Sequence, residues 1–193
     1  MNRYALHAAA LAVGFAFSAG AIAQSMSKEE FKSARDGIAV EYKSAKAGCG
    51  SLSGNAKDIC MARAAGAEKV SKADLDDKYK PSVDSRYKAD LARADAEYAI
   101  AMERCDDQAG NPKAVCVKEA KAASVGAKAD AKARMKSANA NNTAQEKRAD
   151  ARKDASSDKR DAEYAVAKEK CETYAGDAKN NCLNDAKARF GKS

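Results

Sequence analysis

The sequence predicts an all-α chain of three tandem antiparallel helical hairpins, coiled-coil-like, each clipped by one disulfide and loosely associated with the next. Three observations carry that prediction. The first is composition. Leu, Ile, Val and Phe make up under a tenth of residues 24–193, a level that alone would point to disorder. Ala, Glu, Lys, Leu and Arg make up about half, the mark of long helices, and Ala has the lowest intrinsic cost in a helix. The second is a segment written three times: E-Y-K-S-A-K-A-G-C from Glu41, E-Y-A-I-A-M-E-R-C from Glu97 and E-Y-A-V-A-K-E-K-C from Glu163. In each copy a Tyr (Tyr42, Tyr98, Tyr164) stands seven residues before a Cys, and a second Cys follows eleven residues later. All six cysteines belong to this pattern. The third is a turn between the two cysteines, written Gly54-Asn55, Gly110-Asn111-Pro112 and Gly176-Asp177.

The chain opens on a processing signal. Arg3, an apolar run from Ala8 to Phe17 and small residues ending Ala21-Ile22-Ala23 read as a secretory signal peptide over residues 1–23. The run is short and Ala-rich beside the roughly 20 strongly apolar residues of a membrane span. The single His, His7, falls in this segment. Residues 24–193 hold 34 basic and 28 acidic residues, a formal charge of +6. The two signs are interspersed, which describes a solvated surface with a weak preference for anionic partners.

Repeat one occupies residues 24–80. Phe31, Ala34, Ile38, Tyr42, Ala45 and Cys49 form the seam of its approach helix, and Gly48 and Gly50 should fray that helix's end. Lys80-Pro81-Ser82 breaks the return helix, and Ser82 caps the next one. Repeat two spans 81–138. Its approach helix carries Val83, Tyr87, Leu91, Ala94, Tyr98, Ala101 and Cys105 at near-heptad spacing, and Cys116, Ala120, Ala123, Ala127 and Ala131 line its return helix. The three tyrosines are therefore read as seam residues. At the turn, Gly110 is expected to close the first helix in the left-handed conformation. Asn111 is expected to cap the second, with Pro112 as its first residue. Gly54 with Asn55, and Gly176 with Asp177, repeat that grammar. Residues 139–143 are Asn-rich without apolar periodicity and read as a linker. Repeat three spans 144–193, and its charged segment from Gln145 to Asp161 reads as a solvated single helix.

Eleven residues along one helix separate two side chains by roughly 16 Å, whereas a disulfide needs Cα atoms within about 7 Å. A hairpin turn brings the two cysteines level. The expected pairs are therefore Cys49–Cys60, Cys105–Cys116 and Cys171–Cys182, each worth roughly 3 kcal/mol in the chain-entropy model. Zinc sites favour Cys pairs two to four residues apart, often with His, and an exported chain meets an oxidising compartment, so no metal is expected. No C-x-x-C redox pair and no Gly-rich phosphate loop occurs. With His7 removed in the signal peptide, no Ser-His or Cys-His pair is expected. The carboxylates read as helix-surface charge at i,i+4, as in Glu68/Lys72, Asp84/Lys88 and Asp130/Arg134. Neither a catalytic site nor a cofactor nor a small-molecule substrate is expected. Aromatics do not interleave with basic residues, which disfavours nucleic acid.

The strings E-Y-x-[IVS]-A-x-x-x-C and G-[ND]-x-K-x-x-C resemble those of small exported proteobacterial proteins with Lys/Ala/Asp-rich hairpin repeats, labelled uncharacterised or TolA-like cell-envelope proteins. The resemblance covers residues 24–193 and implies a periplasmic envelope protein. The likeness to TolA itself is one of stalk composition. TolA-type proteins keep a membrane anchor and end in a partner-binding domain, so an energy-transducing role is not implied here. The expected function is a non-enzymatic structural or binding scaffold linked to envelope stress, meeting an unknown protein partner or an anionic envelope component. The alternatives are a cationic binder of anionic membrane or cell-wall polymer, and a small periplasmic chaperone-like protein.

Overall fold

The computed structural model describes residues 26–192; the signal peptide expected over residues 1–23 lies outside them. Among the described residues five helices follow one another: α1 (Lys28–Gly48), α2 (Gly54–Tyr79), α3 (Val83–Cys105), α4 (Gly110–Cys171) and α5 (Gly176–Phe190). No strand occurs among the described residues. A single 3-10 turn, Cys49–Ser51, ends α1 where Gly48 and Gly50 weaken the helix.

Helix starts follow local chemistry. At α1 the Ser27 N–H donates to the Glu30 carboxylate at 2.8 Å, and the Glu30 N–H donates to Ser27 Oγ at 3.1 Å. That reciprocal pair satisfies two donors the helix leaves free. The Ser27 N–H bond, then the bond with the Ser27 side chain, hold the Glu30 carboxyl below its ordinary value, and Lys78 adds attraction. A carboxylate lowered in the folded state stabilises it above the unfolded pKa, and the contribution fades as pH falls through the lowered value. Ser27→Ala is expected to move the Glu30 titration midpoint up toward the ordinary carboxylate range and to speed amide exchange in the first turn of α1. An NMR pH titration reads both. At α3, Ser82 caps through Ser85, whose hydroxyl also reaches Asp77 of α2.

Among the described residues each helix packs only on its neighbours in the chain: α1 on α2, α2 on α3, α3 on α4, α4 on α5. The result is a single antiparallel layer, not a closed bundle. The core is correspondingly thin. Its buried residues are alanines, Gly66, Leu75 and the first cysteine of each pair. Phe31 stacks on Tyr79 with ring centroids 4.3 Å apart, tying the start of α1 to the end of α2.

The first two hairpins share an extensive α2–α3 interface. Gly66 of α2 meets Ala96 of α3 so closely that a Cβ added to Gly66 would lie 2.8 Å from the Ala96 Cβ. Ala89 and Ala96, both buried, form a second face of α3, turned toward α2 and distinct from the seam toward α4.

Two expectations are corrected. The Asn-rich segment 139–143 is no linker: α4 runs unbroken through it for 62 residues, about 93 Å at 1.5 Å per residue. Asn139, Asn141, Asn142 and Thr143 each cost up to about 0.7 kcal/mol against Ala. Their sum of roughly 2–3 kcal/mol is below the roughly 4 kcal/mol needed to nucleate a new helix. No Gly or Pro lies between Ala127 and Cys171 to force a break. The second and third hairpins therefore share α4. Its middle, residues 139–156, is exposed at every position, as expected of a solvated single helix.

The turn chemistry also differs. Gly54, Gly110 and Gly176 do take positive φ (55°, 63° and 58°). They open the returning helix, however, while the preceding helices stop earlier, α3 at Cys105 and α4 at Cys171. Asn55, Asn111 and Asp177 consequently lie inside the first turn. The N-cap positions are Ser53, Ala109 and Ala175, without a side-chain cap bond. Pro112, one residue further in, still sits among the N–H groups that have no intrahelical acceptor.

Candidate functional site

The repeated unit builds the same local structure three times. Disulfides join Cys49 to Cys60, Cys105 to Cys116 and Cys171 to Cys182, with Cα atoms 5.7, 5.6 and 5.7 Å apart. The Cα spacing falls inside the range a disulfide tolerates, because the turn places the two cysteines level on adjacent helices. Cys49, Cys105 and Cys171 are at most 1% exposed. Every sulfur is engaged, and no thiol is free.

Two turns away from each disulfide stands the repeat tyrosine. Tyr42 faces Ala64 and Ala67 across a shallow cleft that Glu41 and Glu68 also line. Tyr98 faces Ala120, Ala123 and Ala127 in the equivalent cleft of the second hairpin. Tyr164 instead packs on Phe190, centroids 6.2 Å apart. Each tyrosine is half-buried; Tyr42 and Tyr98 lie against the small residues of the facing helix. These clefts are open grooves between two helices, lined mainly by alanines and one ring, with glutamate and serine side chains beside them.

Electrostatics concentrates on the α2–α3–α4 layer. Arg93 of α3 bonds Asp74 of α2 and, at 3.2 Å, Asp90. Arg134 of α4 donates to the same Asp90 through Nε at 3.2 Å and Nη2 at 3.0 Å. Lys128 of α4 reaches Asp95 of α3 at 2.6 Å. The expected surface pairs Glu68/Lys72 and Asp84/Lys88 form at 2.6 and 2.7 Å. The Asp84 carboxylate raises the Lys88 ammonium above its ordinary value, by its hydrogen bond first and by charge second. Asp130/Arg134 does not form: Arg134 turns to Asp90, whose side chain is only 28% exposed and less well hydrated. Among the described residues no three His, Cys, Asp or Glu side chains converge as metal ligands would. No helix there is long and apolar enough to cross a membrane.

The sequence pattern located the disulfides, tyrosines and hairpin tips. It missed the Gly66–Ala96 contact and the Asp74–Arg93–Asp90–Arg134 network. The only available signal was Gly66 placed inside a helical run, a costly position that a close packing contact can explain. Against known proteins, neither a family model, nor a curated protein, nor a solved structure matches this chain.

Three disulfides in a chain of this size indicate an oxidising compartment, extracellular or periplasmic. The arrangement offers rigid, clipped hairpins and a long exposed helix between two of them.

Proposed function

We propose that this chain is a non-enzymatic scaffold of the bacterial envelope, exported to the periplasm by a signal removed after Ala23. The observation that carries the reading is α4: one helix of 62 residues bearing a disulfide-clipped hairpin at each end. Such a helix sets a spacing of about 90 Å. The clips hold the hairpins folded where the apolar core is too thin to do so alone. Partners dock on the hairpins, α4 fixes the distance between them, and the role belongs to the response to envelope stress.

The first test is fractionation with N-terminal sequencing: the periplasmic form should begin at Gln24. Cross-linking in intact cells should then give a reproducible envelope partner. That partner should be lost on Cys171→Ser/Cys182→Ser substitution, which unclips one end of the scaffold. A cytoplasmic chain, or a deletion strain without an envelope phenotype and without a cross-linked partner, contradicts the reading.

A further inference from the structure

The side of α4 turned away from α3 carries an inverted charge pattern. At 100° per residue, Lys118, Lys121, Lys132 and Lys136 fall within roughly 60° of one another. That sector is well away from Ala120 and Ala131, the buried residues turned toward α3. Past the Asn-rich centre the same sector carries Asp150, Asp154 and Asp161, with Glu146 about 20° to its side and Lys168 the one base within it. These acidic residues and Lys121, Lys132 and Lys136 are all exposed.

The two rows mirror each other. Reflection about residue 141 carries Lys121 onto Asp161, Lys132 onto Asp150 and Lys136 onto Glu146, and Lys128, beside the row, onto Asp154; Lys118 falls on Tyr164 and stands outside the match. The basic steps of 7, 4 and 4 residues become acidic steps of 4, 4 and 7. The reflection point is also the middle of α4, which runs from Gly110 to Cys171.

Within one chain these charges are poorly served. Glu146, Asp150, Asp154 and Asp158 follow at i,i+4, where like charges repel, and so do Lys132 and Lys136. Lys121, Lys132, Lys136, Glu146, Asp150 and Asp154 make no ion pair among the described residues, while Lys128 holds Asp95 and Asp161 holds Lys192. α4 is an edge of the helix layer, since it packs only on α3 and α5. An anionic surface would satisfy the basic row and be repelled by the acidic one, and a basic partner would do the reverse.

We propose that this face of α4 binds a second copy of the chain, antiparallel, about a two-fold axis at residue 141. In a two-fold interface each contact occurs twice, so the Lys132–Asp150 and Lys136–Glu146 pairs appear on both sides of the axis. The two helices overlap over residues 121–161, the span of the matched charges, and the hairpins stand at both ends of the pair. The inference rests on charge spacing and stands apart from the compartment and the scaffold role.

Zero-length carbodiimide cross-linking of the intact, oxidised chain at low salt tests it. A link between Lys132 and Asp150 inside one helix would span 18 residues, about 27 Å, so it forms only between chains. The expected result is a cross-linked dimer containing Lys132–Asp150 and Lys136–Glu146 peptides, falling several-fold at about 0.5 M salt. Lys121→Glu/Lys132→Glu/Lys136→Glu and Glu146→Lys/Asp150→Lys/Asp154→Lys change exposed residues and should keep their helix content by circular dichroism. Each variant alone should associate about tenfold more weakly or worse, and an equimolar mixture should recover the dimer in sedimentation velocity. A chain that stays monomeric at low salt overturns the proposal. So does a dimer lacking both links, a mixture that fails to associate, or a monomer that sediments with anionic vesicles instead.

Discussion

Replacing Cys171 and Cys182 by Ser is expected to release α5 from the fold while the rest of the chain stays helical. The bond closes a loop of about a dozen residues, worth roughly 3 kcal/mol in the chain-entropy model. Little else holds α5. It has 15 residues and one buried side chain, Ala186. Its remaining anchors are the Tyr164–Phe190 contact, the Lys179–Glu172 pair at 2.6 Å and the Lys192–Asp161 pair. Exposed ion pairs contribute at most about 1 kcal/mol each, and an isolated helix of about 15 residues is marginal in water. Amide exchange should therefore become nearly unprotected across residues 176–190 and change little in α2 and α3. The same replacement at Cys105 and Cys116 should lower stability by a similar few kcal/mol without releasing a helix. There α3 remains held by α2 on its other face, by Arg134 on Asp90 and by Lys128 on Asp95. Equal loss of protection in both variants would contradict this ranking.

The second large effect lies at Gly66. A side chain there must push α2 off α3, because a bare Cβ already comes within 2.8 Å of Ala96. Overpacking costs about 1–3 kcal/mol, against a gain of up to about 1 kcal/mol from removing a helical glycine. Gly66→Leu should therefore destabilise by roughly 1–2 kcal/mol, read as a lower midpoint in denaturant. Gly126 of α4 has nothing within 4 Å of its Cβ position. Gly126→Ala should show the propensity gain alone, about 0.5–1 kcal/mol of added stability. Pairing Gly66→Ala with Ala96→Gly should recover most of what Gly66→Ala loses, since the two Cβ atoms compete for one space. Opposite signs at two helical glycines separate interface packing from intrinsic propensity.

These two sites also show what was legible in the sequence. The cysteines could be paired because their spacing is impossible on a straight helix and natural across a turn. Ser82 could be read as a cap because Pro81 stood before it and broke the preceding helix. Gly66 could not be placed. α2 and α3 each pack on two neighbours, so their small residues spread over two faces and a search for one stripe finds only one of them. The network through Asp90 was equally hidden: nothing in sequence separation joins Asp90 to Arg134, 44 residues away. The Asn-rich stretch misled for an energetic reason. Poor helix formers in a row lower the propensity sum, yet the cost of ending one helix and starting another is larger. The charge rows of α4 were visible residue by residue, but their mirror relation emerges only when both lie on one continuous helix.

That continuity underlies the spacing between hairpins and the antiparallel pairing alike. Cα and carbonyl chemical shifts for residues 137–145 of the oxidised chain test it most directly. An unbroken α4 predicts helical shifts at every one of these positions, from Ser137 through Gln145. Coil shifts across Asn139–Thr143, with helical values on either side, would contradict it and return the chain to three hairpins on a flexible string.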